Sequence, residues 1–175
     1  LNIGSDTVSG NYSKTTINGN VFATNTILNN NNNDNIDGTT NSSELILSSG
    51  KNITSTITTA DADMGILTLA GGTQTVSGTV GEDGISLKEI NAGAAGSTST
   101  FTEDVYALNT NIGSGTVILN SNLTGNVVTT GNQGILTTTG ATQTITGDIG
   151  SGTSSLNTLN IGSDTVSGNY SKTTI

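Results

Sequence analysis

Histidine, arginine and cysteine are all missing from the 175 residues of this chain. Any chemistry must therefore come from carboxylates, lysines, hydroxyls and amides, which excludes imidazole-based triads, His or Cys zinc sites and arginine clamps on phosphate. The densest set of hard oxygen donors is the run Asn33-Asp34-Asn35-Ile36-Asp37-Gly38, followed by Glu44. With Asn33 as the first residue of a calcium loop, Asn35, Asp37 and Glu44 stand where the third, fifth and twelfth ligands belong, and Gly38 takes the sharp turn. The first ligand departs from that template, being Asn where Asp is expected. Two readings follow: a calcium loop with Asn33, Asn35, Asp37 and Glu44 as ligands, or a solvated asparagine corner. Calcium is the only cofactor the sequence suggests.

Other carboxylates come in pairs. Asp61 and Asp63 are two apart and would share one face of a strand, as the acid and base of a glycan-cleaving site do. No sugar-stacking aromatic lies near them, and Glu82-Asp83 and Glu103-Asp104 are adjacent pairs that would point to opposite faces of a strand or sit in a turn. A solvated acidic surface is the expected role of all three pairs. Amide crosslinking would need a buried lysine beside a carboxylic acid, yet Lys14, Lys51 and Lys172 sit among small polar residues and are expected to be exposed. Tyr12, Phe22, Phe101, Tyr106 and Tyr170 are too scattered to form a binding platform, so each is expected in the core or capping a corner. The chain is read as non-enzymatic.

What must position these residues is a chain of unusual composition. Apolar residues make up 31% and charged residues 10%, and proline is absent. Disorder normally accompanies high charge, whereas short runs of Val, Ile and Thr favour strands. A net charge of −9 repels nucleic acid. No apolar run reaches the roughly 18 residues of a membrane span, and any leader or anchor is expected outside this stretch.

Repetition organises the rest. GILTLAGGTQTVSGTVG, from Gly65 to Gly81, returns as GILTTTGATQTITGDIG, from Gly134 to Gly150. The segment from Leu1 to Ile17 reappears unchanged as Leu159 to Ile175, an offset of 158. The chain reads as one continuous segment, 1–175, of a tandem array. Its sub-repeats run over 65–133 and over 134–175 continuing as 18–64, so that a shorter and a longer unit alternate.

Strand-length apolar clusters such as Leu45-Ile46-Leu47, Val105-Tyr106-Ala107-Leu108 and Val117-Ile118-Leu119 are bounded by Gly, Asn or Ser, and none continues at helical spacing. Between them recurs a Ser, Thr or Asn followed by Gly, as in Ser77-Gly78, Thr124-Gly125, Thr146-Gly147 and Ser167-Gly168. Gly78, Gly125, Gly147 and Gly168 are read as corners that need positive φ or no Cβ. The fold expected is an all-β parallel β-solenoid (β-helix) of about 22 residues per coil. On that count the longer sub-repeat would hold one whole coil more than the shorter. One coil cannot bury enough apolar surface to stand alone, so stability must come from its neighbours. A string of immunoglobulin-like sandwiches is the competing fold, but it calls for a larger core with an aromatic anchor.

The phrases GGTQTVSGTVG and GATQTITGDIG, with asparagine- and threonine-rich coils between them, resemble the passenger regions of rickettsial-type surface cell antigens, which are autotransporters. The resemblance covers most of the chain and rests on repeat style. It implies export through an outer-membrane barrel, a β-solenoid fold, and an adhesive or surface-layer role at the bacterial surface.

The expected function is therefore a structural repeat segment of a large bacterial cell-surface protein or fibre, extracellular, with neighbouring repeats of the same polypeptide as partners. Two alternatives stay open. One is end-to-end self-association into a filament or surface layer, and the other an adhesin face recognising a host-cell receptor or glycan through Asn29 to Ser43.

Overall fold

The computed structural model describes residues 1–4, 13–29, 42–162 and 172–175. Its burial alternates along nearly every strand, as in Glu44–Leu47 and Ile53–Thr59. That two-residue period is what Leu-x-Leu and Ile-x-x-x-Ile spacings dictate when one side of a strand faces a core. Among the described residues sixteen strands follow one another and there is no helix. The first seven are β1 (Asn2–Ile3), β2 (Lys14–Ile17), β3 (Val21–Leu28), β4 (Glu44–Leu47), β5 (Ile53–Thr59), β6 (Met64–Leu69) and β7 (Thr73–Ser77). The next seven are β8 (Leu87–Ala92), β9 (Thr98–Phe101), β10 (Val105–Ile112), β11 (Thr116–Leu119), β12 (Leu123–Thr129), β13 (Ile135–Thr138) and β14 (Thr142–Thr146). Then come β15 (Thr158–Ile161) and β16 (Lys172–Thr174).

All pairing between strands is parallel, in two eight-stranded sheets, one of odd-numbered and one of even-numbered strands. This is a parallel β-solenoid. The long strands turn corners, with register shifts between Phe22 and Asn25 in β3 and between Tyr106 and Asn109 in β10. Val80 pairs with Ile57 below and Val105 above, and so links the two sheets. The wall therefore has three faces. Face one carries β2, β4, β6, β8, the C-terminal parts of β10 and β12, and Ile149. Face two carries the N-terminal ends of β3 and β5, then β7, β9, β11, β13 and β15. Face three carries β1, the C-terminal ends of β3 and β5, Val80, the N-terminal ends of β10 and β12, then β14 and β16.

The length of chain in one step up the stack varies. It is short from Thr110 to Val127 and longer from Thr73 to Thr98. The steps from Lys14 to Glu44 and from Val21 to Ile53 are longer still. Those last two correct the expectation of an extra coil in the longer sub-repeat. Because β2 pairs directly with β4, no rung stands between them. β1 to β7 and β8 to β14 are equivalent strand for strand, and each set, with its two bent strands and one bridging residue, makes ten face crossings. The additional residues enlarge the connections instead. The link from Leu28 to Glu44, between β3 and β4, far exceeds that from Ile112 to Thr116, between β10 and β11. The link from Ile3 to Lys14, between β1 and β2, likewise exceeds that from Ala92 to Thr98, between β8 and β9. Loops at corners can lengthen without disturbing the ladder, which is why the register survives.

Ten crossings of a three-sided wall leave each sub-repeat one face further round. Equivalent strands β1, β8 and β15 accordingly lie on faces three, one and two. The core between the faces is a narrow column of Leu45, Leu67, Ile90, Val76, Phe101, Leu119, Ile57, Val80 and Val105 with their neighbours, all buried. Phe101 fills the core as expected of an aromatic. Phe22 does not, being 79% exposed on β3. Tyr12 and Tyr170 lie outside the described residues.

One core hydroxyl shows the effect of the repeat's imperfection. Thr26 on β3 is hydrogen-bonded to Ser55 at 2.8 Å, and its equivalent on β10 is Thr110. Where Ser55 stands in the first sub-repeat the second has Gly125, and the Thr110 hydroxyl, 1% exposed, has no partner. A buried unpaired hydroxyl costs about 1–3 kcal/mol. Thr110→Val is therefore expected to raise stability by about 1 kcal/mol, and Thr26→Val to lower it. The urea midpoints of the two variants check this, and an unchanged midpoint for Thr110→Val would contradict the assignment.

Candidate functional site

The side chains with chemical potential are spread over corners and faces, where they tie one rung to the next. Gly78 sits at the corner between faces two and three, with φ +150°, and a Cβ there would meet the Ser55 carbonyl oxygen at 2.2 Å. Gly125 and Gly147 stack at the corner between faces three and one, with φ +125° and +138°. A Cβ on Gly125 would lie 1.6 Å from the Ala107 oxygen, and one on Gly147 2.4 Å from the Gly125 oxygen. Gly78 and Gly147 are equivalent yet occupy different corners, which the one-face advance requires. Gly168 lies outside the described residues.

Corner amides form ladders between rungs. Asn20 Oδ1 accepts from the Asn52 amide at 2.9 Å, and Asn52 Oδ1 accepts from the Thr75 amide at 2.8 Å. In the next sub-repeat the same ladder runs from Asp104 to Asn122 to Thr144. Asp104 accepts from the Ser121 hydroxyl, from the Asn122 amide at 3.0 Å and from Asn122 Nδ2 at 3.1 Å. The hydrogen bond from Ser121 pulls its carboxyl down, burial opposes, and the Asn122 donors add to the pull, so it is held below the ordinary value. Asp104 is thus part of the corner and not simply a solvated acid. Asp61 and Asp63 lie in the turn between β5 and β6 and not on a strand. Asp63 has φ 59° and accepts from Ser86 Oγ at 2.6 Å. Glu82 and Asp83 are exposed in a turn.

Gln74 and Gln143 carry the largest undetected role. Gln74, fully buried, accepts from the Gly71 amide at 2.8 Å and donates through Nε2 to the carbonyls of Leu47, Ser48 and Lys51. Gln143 accepts from the Gly140 amide and donates to the Leu119 and Ser121 carbonyls. Each clamps its own corner to the one beneath. The sequence signal was the repeated Thr-Gln-Thr, a polar residue at an inward position of an alternating strand.

Face one bears a polar chain across five rungs. Asn111 donates to Asn91 at 2.9 Å, Asn91 to Thr68 at 3.3 Å, and Thr68 to Glu44 at 2.7 Å. Lys14 closes the chain on Glu44 at 2.9 Å. Burial pushes the Glu44 carboxyl up, but the hydrogen bonds from Thr68 and Lys14 and the lysine charge outweigh it, so it lies below its usual range. Both carboxylate oxygens of the expected twelfth calcium ligand thus have protein partners. Asn33, Asn35 and Asp37 lie outside the described residues. Beside this chain runs an open groove of about 630 Å³ lined by Thr68, Asn91, Ala94, Asn111, Val128 and Gln133. Among the described residues no three acidic side chains converge.

The depressed carboxyls set an acid limit on stability. A folded value below the unfolded one adds stability above the unfolded value, near pH 4, and that stability is lost as pH falls through the folded value. Asn20 does the work of Asp104 in the equivalent corner. Asp104→Asn is therefore expected to leave the melting temperature at pH 7 nearly unchanged and to reduce its loss between pH 5 and pH 3 (range ~2 units, set by ordinary carboxylate values), as read by circular dichroism.

No protein-family model matches this chain, and neither a curated protein nor a solved structure matches it.

Proposed function

We propose that the chain is a structural repeat segment of a large bacterial cell-surface protein or fibre, an autotransporter-like stalk that projects other parts from the cell. The observation that carries this reading is the unbroken ladder across the sub-repeat boundary, where Val80 pairs with both Ile57 and Val105. Load applied along the axis passes from rung to rung through backbone hydrogen bonds, Gln74 and Gln143 clamps and asparagine corners, with no hinge between sub-repeats. The repeat phrases shared in style with rickettsial-type surface antigens support the bacterial and extracellular setting. Electron microscopy of purified tandem copies tests the reading. A smooth rod that lengthens by about 32 Å per full period, at roughly 4.8 Å per rung, is expected. Beads on a flexible thread would overturn it.

The groove on face one favours a second reading, in which this surface adheres to an extended polar ligand such as a glycan or peptide strand. Asn91→Lys with Asn111→Lys would fill the groove with charge, while deletion of residues 29–43 removes the asparagine-rich connection. Cell binding lost in the first variant alone would place adhesion on face one, and binding kept in both leaves the spacer role.

A further inference from the structure

The exposed Phe22 marks a seat, and the chain contains a worked copy of what fills it. Phe22 on β3 is equivalent to Tyr106 on β10, and Val21 to Val105. Beneath Val105 and Tyr106 lie Val80 and Gly81 of the preceding rung. Val80 donates to the Asp104 carbonyl at 3.0 Å, and Tyr106 donates to the Val80 carbonyl at 2.7 Å. Gly81, with φ +73°, lies so close under Tyr106 that a Cβ would meet the Tyr106 carbonyl oxygen at 2.2 Å and its Cβ at 3.0 Å. Beneath Val21 and Phe22 there is no such rung among the described residues, and the phenyl ring stands in solvent.

At the other end of the stack lies the matching half. Ile149 and Gly150 are equivalent to Val80 and Gly81. Their lower side repeats the internal arrangement: Gly150 donates to Val127 at 2.8 Å and Val127 to Asp148 at 2.8 Å, as Gly81 donates to Ile57 at 2.8 Å and Ile57 to Thr79 at 2.9 Å. Gly150 has φ +70°, beside +73° at Gly81. No strand among the described residues pairs with the upper side of Ile149, where Val105 stands over Val80.

We infer that Val21 and Phe22 dock on Ile149 and Gly150 of a second copy of this chain, head to tail. In that junction the Phe22 amide donates to the Ile149 carbonyl, the Ile149 amide donates to the Asn20 carbonyl, and the phenyl ring covers Gly150. Within the identical stretches 1–17 and 159–175, β1 and β2 of the second copy then take the places of β15 and β16 of the first, so that these strands occur there once. The count of faces fixes the orientation as well. Twenty crossings in the full period are six and two-thirds coils, so each copy is turned by a third of a revolution relative to the last, and three copies restore the starting face. The inference rests on the structural-repeat reading above and adds to it the surface by which copies join.

The test uses a two-copy chain, residues 1–158 followed by 1–175. The sequence has no Trp, so Phe22→Trp placed in either copy is the sole indole. In the second copy its emission is expected to shift to the blue and its quenching by acrylamide to fall severalfold, relative to the same substitution in the first copy, whose seat stays open. Equal quenching at both positions would overturn the inference. Microscopy of the same chain separates the two failures: a single long rod with an exposed second indole leaves the stalk reading standing and removes only the junction. Two short rods joined by a flexible link would remove both.

Discussion

Gly125→Val is expected to abolish cooperative folding of the rungs around it. The added Cβ would stand 1.6 Å from the Ala107 carbonyl oxygen, a backbone atom held in the ladder below. No rotamer relieves a clash that involves only Cβ, and φ +125° is itself a region that valine avoids. Overpacking and backbone strain each cost about 1–3 kcal/mol in ordinary cases, and here both apply against a total stability of roughly 5–15 kcal/mol. A loss of at least about 3 kcal/mol is expected, seen as a broad, early urea transition by circular dichroism. Gly78→Val, facing the Ser55 oxygen at 2.2 Å, is expected to follow closely. Gly19 supplies the control, since a Cβ there meets nothing within 4 Å, and Gly19→Ala should melt within about 0.5 kcal/mol of the parent. Parent-like melting of Gly125→Val would remove the stacked-corner account.

The corners could be read in the sequence because a glycine that must let one backbone pass close over another has no substitute. Ser77-Gly78, Thr124-Gly125 and Thr146-Gly147 carry that signal plainly. Which side of each strand faces the core was legible for a similar reason: Leu45, Leu47, Leu67 and Leu69 alternate with outward-facing residues, and a period of two has one geometric meaning. The number of faces was not legible. Nothing in Ile53-Thr54-Ser55-Thr56-Ile57 marks the bend that carries β5 from one face to the next, because Ser55 turns the corner without glycine. A count along the chain therefore read the extra length of the longer sub-repeat as a rung, when the direct pairing of Lys14 with Glu44 sends it into connections.

The role of one charge is hidden in the sequence for a related reason. Glu103-Asp104 resembles any solvated pair, and only its alignment with Asn20 reveals that Asp104 is a ladder residue carrying a carboxylate where the other sub-repeat carries an amide. Phe22 was misplaced because aromatic residues usually find a core. It stands 79% exposed at one end of the stack, and nothing in its own coil distinguishes an end position from the internal one that its equivalent Tyr106 occupies.

Gln74→Leu is expected to weaken the stack nearly as much as the glycine variants, for the opposite reason. Leucine suits the buried, inward position by volume, so burial alone predicts a neutral or favourable change. The hydrogen bonds predict otherwise. Removing the amide strands the Gly71 N–H and takes a donor from the Leu47, Ser48 and Lys51 carbonyls. Each buried group left unpaired costs about 1–3 kcal/mol; the Leu47 and Ser48 carbonyls retain backbone partners in the Ala70 and Lys51 amides, which leaves the Gly71 N–H and the Lys51 carbonyl, so a net loss of about 3 kcal/mol is expected. Gln74→Glu separates shape from charge. At pH 7 a buried carboxylate would face those carbonyls, and burial would raise its folded pKa above the unfolded value. The stability of that variant should therefore be greatest below the unfolded value, about pH 4.3, and fall as pH rises through the folded one. Parent Gln74, which does not titrate, should show no such rise on acidification. If Gln74→Glu and the parent keep the same difference in melting temperature from pH 7 to pH 4, across ordinary carboxylate values near ~4, the glutamine is not the clamp between rungs.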